Sequence, residues 1–207
     1  MKRGKFIVVD GGEGSGKTAI LKWFAETSFG KKFLLTYEPG GTEFADKIRT
    51  LVLSKEAKES GAETQFGLMW AARADHLQHK ILPALARGKN VICDRFDSST
   101  YAYQICAQGA RNLKDLFWQT REIYLREAAP DFYIFFDVKP EIGLARVALR
   151  RVKKTHFDER KLAFHKRVHS GFLEFSKNVP HKIIDANQNI DKVRNDFLKI
   201  ISDLTRN

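Results

Sequence analysis

The stretch Asp10-Gly-Gly-Glu-Gly-Ser-Gly-Lys17-Thr18 carries the spacing Gly-x-x-x-x-Gly-Lys-Thr from Gly11 to Thr18. Gly11, Gly12, Gly14 and Gly16, with Glu13 and Ser15 between them, leave backbone N–H groups unobstructed by side chains. Such a loop can surround the phosphate tail of a nucleoside triphosphate. Lys17 would reach the β- and γ-phosphates, and the Thr18 hydroxyl would ligate Mg²⁺. Apolar residues from Phe6 to Val9 lead in, and a helix-compatible run from Ala19 to Thr27 leads out. That strand–loop–helix context separates a phosphate cradle from a glycine-rich turn.

Other residues extend this chemistry. Asp94 ends an apolar run and Arg95 follows it. A carboxylate at a strand's carboxyl end can hold Mg²⁺ directly or through water, and the guanidinium can grip a phosphate in fork geometry. Arg73 interrupts an apolar stripe, where an unpaired charge is costly. Either a ligand or a buried carboxylate would explain it, and Met69, one helical turn earlier, would share the pocket wall or pack in the core. Glu38-Pro39-Gly-Gly-Thr42 would turn the chain sharply beside a ligand, with Arg49 near the end of the next helix.

Elements must hold these groups in place. Five short apolar runs read as strands: Lys5 to Asp10, Phe33 to Tyr37, Asn90 to Asp94, Phe132 to Asp137 and His181 to Asp185. They show little alternation, the pattern of a parallel sheet covered on both faces. Helical stretches separate them, as crossover connections require. Ser60-Gly-Ala-Glu63 reads as a capping box that starts a helix running to about Arg87, with Pro83 as a kink. Its stripe is Phe66, Met69, Arg73, Leu77, Ile81 and Leu85, and a last helix presents Ile190, Val193, Phe197, Ile200, Ile201 and Leu204. Between Leu149 and Asp158 basic residues crowd together and little can be buried. This predicts a basic lid that closes on an anion, the alternative being an exposed helix end.

The 207 residues suffice for one α/β domain with a single substantial core. Cys93 and Cys106 form no disulfide framework or metal motif. No stretch is long and apolar enough for a bilayer, and no apolar block precedes the phosphate loop, so a cytosolic setting is expected. The net charge of +11 comes from 36 basic and 25 acidic residues spread along the chain. Without basic–aromatic interleaving, this favours a polyanionic small molecule over nucleic acid as partner.

In chain order, DGGEGSGKT from Asp10, EPGGT from Glu38, AAR from Ala71 and DRFDSSTYAYQ from Asp94 resemble the thymidylate kinase family. So do FFDVKPEIGLARVALR from Phe135, FHKRV from Phe164 and IIDA from Ile183, and the likeness runs nearly end to end. The resemblance implies a P-loop three-layer sandwich, with a five-stranded parallel sheet in the order 2-3-1-4-5 and helices on both faces. It implies ATP as donor, dTMP as acceptor, Mg²⁺ as cofactor and a homodimer. By the same resemblance Glu13 faces the acceptor's sugar, while Arg49 and Arg95 take its phosphate. Arg73 reads the thymine carbonyl, and Ser99 and Gln104 edge the base. Arg146 and Arg150 enter the lid as catalytic cations, and Ala186 and Asn187 line adenine. The chain departs from the pattern at Met69, where the family has Phe, with Trp70 beside it. It also departs at Tyr37 in place of Arg, at Thr155-His156 in place of Asp-Arg, and in extra residues between Gln104 and Arg111. The open alternatives are a kinase with a shifted acceptor, such as dUMP, and a nucleotide-binding or nucleic-acid module without phosphoryl transfer.

Overall fold

β-Branched and aromatic side chains on both faces of the central strands demand cover from both sides, and the fold provides it. A computed structural model describes residues 2–149 and 155–206. Five parallel strands, β1 (Phe6–Gly11), β2 (Leu34–Tyr37), β3 (Val91–Asp94), β4 (Phe132–Asp137) and β5 (His181–Asp185), form one sheet in the order β2-β3-β1-β4-β5. This is the expected order. It sets β1 between β3 and β4, with Val9 beside Asp94 and Asp10 beside Phe135. The phosphate loop and the Asp94-Arg95 corner therefore leave the same edge of the sheet side by side, where ligands of open α/β sheets bind.

Alternate residues of β1 serve opposite layers. Ile7 and Val9 pack with α1 (Lys17–Glu26) and the last helix, α10 (Ile190–Thr205), through Ile20, Phe24, Phe197 and Ile201. Phe6 and Val8 face the other layer. That layer holds α4 (Ala62–His76), α6 (Asp97–Thr100), α7 (Lys114–Leu125) and α9 (Leu162–Ser176). Phe175 sits among Tyr101, Phe117, Trp118 and Tyr133, edge to face with Phe117 and Tyr133, tilted to Tyr101 and stacked on Trp118, at centroid distances of 5.4–6.1 Å. Such contacts add to the gain from burial alone. The remaining helices are α2 (Glu43–Val52), α3 (Lys55–Glu59), α5 (Leu82–Ala86) and α8 (Pro140–Ala148).

Two local expectations are corrected. The capping box at Ser60–Glu63 does not form, because Ser60 closes α3 instead, donating its hydroxyl to the Ala57 carbonyl at 2.9 Å. Gly61 then starts α4 with no side-chain cap. The long helix to Arg87 is also not continuous. Residues Leu77–Ile81 form a π-helical turn in which the Leu82 N–H reaches the Leu77 carbonyl. Pro83 has no N–H to offer an α-helical ladder, and the widened register just before it absorbs the defect. The stripe is buried as expected, but Met69 also joins its α4 neighbour Ala72 in a small cluster with Ala45, Ile48 and Val52 of α2.

The chain through Gln104 winds as a π-helical run, Tyr101–Ala107, which continues α6. Gly171 lets α9 lie against it, since a Cβ there would come within 2.8 Å of the Ala102 Cα. Glu174 of α9 accepts from Tyr101 at 2.6 Å, Lys114 at 2.8 Å and Arg111 at 3.3 Å. The Lys114 and Tyr101 hydrogen bonds hold its carboxyl down at about 2. Cys93 and Cys106 are free, buried thiols, and burial pushes both upward, Cys106 to about 11.

Candidate active site

The phosphate loop is built for close approach. Gly11, Gly14 and Gly16 have φ of 152°, 70° and 85°, conformations that side chains resist. Gly16 caps α1 without a side-chain hydrogen bond, so the first-turn N–H groups stay open to an anion. Gly14 and Gly143 touch so closely that a Cβ on Gly14 would overlap the Gly143 carbonyl, and one on Gly143 the Glu13 carbonyl. Helix α8 thus braces the loop from behind. Gly143→Ala is expected to shift the loop and weaken ATP binding about tenfold, the low end of the cost of overpacking. Titration with a fluorescent ATP analogue measures it.

Lys17 is buried, and its Nζ donates to the Gly11 carbonyl at 3.3 Å. Burial, together with the charge of Arg95, pulls its pKa down against the opposing pull of Asp94, Glu13 and Asp10. An incoming phosphate would relieve that strain on the cation. The Thr18 hydroxyl donates to Asp94 Oδ2 at 3.1 Å, while Asp94 Oδ1 is buried without a partner. Two hard oxygen donors at the mouth of a phosphate loop, one with spare capacity, suit Mg²⁺, which takes few protein ligands and several waters or phosphate oxygens.

Across the cavity stands Arg95. Its φ of 68° is unusual for a residue with a side chain. The corner is held by the Arg95 N–H on the Val9 carbonyl at 2.9 Å and by the Cys93 thiol donating to the Arg95 carbonyl at 3.0 Å. The guanidinium is thereby aimed back over the loop. It donates to Glu13 at 2.7 Å and to Ser99 and Tyr103 at 3.2 Å each. Burial opposes ionisation of Glu13, but Arg95, Lys17 and the Tyr103 hydroxyl outweigh it and hold the carboxyl at about 2. Beneath them Asp10 accepts from Ser98 at 2.6 Å and from Ser99 at 2.9 Å. Its burial pushes its pKa up.

The dilemma posed by Arg73 has a double answer. Its Nε donates to Glu38 Oε2 at 2.9 Å and its Nη2 to Thr100 at 3.1 Å, all buried. Glu38 Oε1 lies 3.2 Å from His76 Nδ1, and His76 Nε2 lies 2.7 Å from the Thr36 hydroxyl. A buried carboxylate therefore exists, yet Arg73 Nη1 still has no partner. The guanidinium carbon lies over the Trp70 ring, 4.5 Å from its centroid, and over the Phe96 ring at 4.9 Å. Trp70 continues into the core against Phe66 and Phe117, whereas Met69 lines the cavity. Pro39 follows a cis peptide bond, and its carbonyl takes Arg49 at 2.8 Å.

One cavity of about 830 Å³ joins these groups. Of the expected residues, Glu13, Gly14, Ser15, Gly16, Lys17, Thr18, Glu38, Pro39, Arg49, Met69, Asp94, Arg95, Ser99 and Gln104 line it. Gly11 and Gly12 lie beneath it, beside a small pocket against β4 and α9. Arg73 is fully buried behind the wall. Arg146, Ala186 and Asn187 cluster apart from the lining. Arg146 donates to the carbonyls of Ala186 at 2.8 Å and Gly14 at 3.3 Å, and Asn187 accepts from the Lys139 N–H at 3.0 Å. Arg146 is thus committed to backbone that joins the loop to the β5–α10 turn.

Arg150 and residues 151–154 of the expected lid lie outside the described residues. Its far end rests on the cavity rim. His156 is 3.1 Å from the Val52 carbonyl, and Phe157 meets the Tyr103 ring edge-on at 5.5 Å. Sequence reasoning passed over Asp10, Tyr103 and Phe157 as individual site residues. Asp10 and Tyr103 stood inside quoted motifs, and their fixed offsets from Lys17 and Arg95 were the available signal. Phe157 had none.

A family model for thymidylate kinase matches residues 9–197. Thymidylate kinase of Shouchella clausii is 40% identical over 209 residues, covering 98% of this chain and 96% of the relative. That of Alcanivorax borkumensis is 35% identical over 205 residues, covering 97% of each. That of Protochlamydia amoebophila is 38% identical over 214 residues, covering 97% of this chain and 93% of the relative.

Proposed function

From the premise that this chain belongs to the thymidylate kinase family, we infer how its residues divide the work of phosphorylating dTMP to dTDP with ATP as donor. The observation that carries the division is the single cavity lined on one side by Lys17 and Thr18 and on the other by Arg49, Arg95 and Gln104.

ATP's phosphate tail takes the loop from Gly11 to Thr18, with its base toward Ala186 and Asn187. The acceptor enters between α4 and the α6 segment. Arg95 and Arg49 hold its phosphate, Glu13 faces its sugar, and Arg73 Nη1, Ser99 and Gln104 meet its base over Met69. A monophosphate oxygen is already anionic, so in-line attack on the γ-phosphorus needs no strong general base. Catalysis is then positioning and charge stabilisation, by Lys17 and Arg95 on the transferring group. Thr18 and Asp94 would hold Mg²⁺, which supplies further neutralisation of the phosphate oxygens. The Glu13–Arg95 ion pair loosens as the acceptor's phosphate claims the guanidinium, and Tyr103 keeps Glu13 in place. The segment 149–158 serves as a lid that excludes water. Arg146 anchors its stem rather than reaching the phosphates, and Arg150 supplies the lid's cation.

Among the described residues no helix is long and apolar enough to cross a membrane. A second copy pairs through α7, where Leu116, Ile123 and Tyr124 are largely exposed. Light scattering tests that pairing. The reading as a whole is tested by ATP turnover across dTMP, dUMP, dCMP, dGMP and dAMP. Strong dTMP preference is expected, and purine preference would end it.

A further inference from the structure

Three glutamines form a buried brace beside the acceptor end of the cavity. Gln65 of α4 is fully buried and donates its Nε2 to the Ala57 carbonyl at 2.7 Å. A peptide carbonyl only accepts, so that end of the Gln65 amide is its NH₂ and the other end is its oxygen. Onto this oxygen converge the Nε2 of Gln104 at 3.1 Å and the Nε2 of Gln108 at 2.6 Å. The same logic passes on to Gln104. With its nitrogen committed to Gln65, its Oε1 is left buried and without a partner, on a side chain that lines the cavity. Gln104 follows Thr100 by four residues on one helical segment, and Thr100 holds Arg73 Nη2 while Arg73 Nη1 is also unpartnered. The wall at the acceptor end therefore holds one N–H donor and one carbonyl acceptor, both buried and unpaired in the free protein. Thymine and uracil present the complement, a carbonyl at position 4 and an N–H at position 3. Cytosine presents an amino group and a bare nitrogen there, the reverse pattern.

We propose that Gln65 and Gln108 are positioning residues for pyrimidine selectivity, holding the Gln104 amide in the orientation that accepts from N3–H. The proposal rests on the dTMP kinase reading above and goes beyond it in assigning the source of base discrimination. Gln108 caps the π-helical run Tyr101–Ala107, and that run brings it onto Gln65. Two donors on one oxygen make the brace tighter than either alone. With the brace cut, Gln104 can turn its NH₂ toward the base, and cytosine is no longer met by the wrong group.

The test is kcat/KM for dTMP, dUMP and dCMP in the wild type, Gln65→Leu and Gln108→Ala. In Gln65→Leu the ratio of dTMP to dCMP falls about tenfold, the scale of one misdirected buried hydrogen bond, while the ratio of dTMP to dUMP stays constant. Gln108→Ala, at a half-buried position that should leave folding intact, lowers the same ratio by about threefold. A brace that only supports the fold would lower all three acceptors in parallel and leave the ratios unchanged. That result in either soluble variant overturns the proposal, and Gln108→Ala alone decides if Gln65→Leu does not fold. Wild-type enzyme that ignores dTMP would sink the underlying reading as well, whereas active enzyme with fixed ratios sinks only the brace.

Discussion

Lys17→Ala lowers kcat for dTMP phosphorylation by about 2 to 4 kcal/mol, which is about 30- to 1,000-fold. The effect should fall on kcat more than on the KM for ATP. The loop's open N–H groups still bind the phosphates of the ground state, while the lysine charge matters most as charge redistributes on the transferring group. Folding should survive. Lys17 makes a single long hydrogen bond to the Gly11 carbonyl, and its burial already disfavours the charged form in the free protein. Steady-state assays of ADP formation, with thermal unfolding as a control, measure both halves. Equal kcat in mutant and wild type would remove Lys17 from the reaction.

The second large effect is on stability. Arg73→Leu leaves Glu38 buried beside His76 with its strongest partner gone. Removing one member of a buried ion pair costs about 3 to 5 kcal/mol, because the survivor keeps its desolvation penalty without its compensation. The guanidinium also fills the gap between Trp70 and Phe96, so truncation adds a packing loss. Replacing both partners, Glu38→Leu with Arg73→Leu, should cost less than the sum of the single changes, since no orphaned charge remains. Urea denaturation of the four proteins completes the cycle. Additive losses would mean that the pair does not act as a unit.

The fold was legible because its signals were long-lived and redundant. Five apolar runs bounded by turns gave the strands to within a residue at each end, and their lack of alternation gave the parallel sheet. What failed was local. Ser60 could cap either of two neighbouring helix ends, and only the presence of α3, a five-residue helix with little periodicity, assigned it to the Ala57 carbonyl. The π-helical turns also left no trace, since a register change costs only a residue of periodicity. At the site, the phosphate-loop residues were readable because glycine spacing and a Lys-Thr pair encode their own geometry. Arg73 was readable as an anomaly, but its partner Glu38 lies 35 positions away in sequence, and spacing alone could not choose between ligand and carboxylate. The glutamine brace was invisible for a plainer reason. Three amides carry no charge, and their meaning lies in which atom faces which.

Cys93 and Cys106 have a practical consequence. Both sulfurs are sealed from solvent, and neither gives up its proton readily. Maleimide dyes need an accessible thiolate, so the native chain should take up almost none. A cysteine placed at Leu149, which projects from the end of α8, would then be the sole reactive handle. A fluorophore there could report nucleotide arrival without stripping out either natural sulfur.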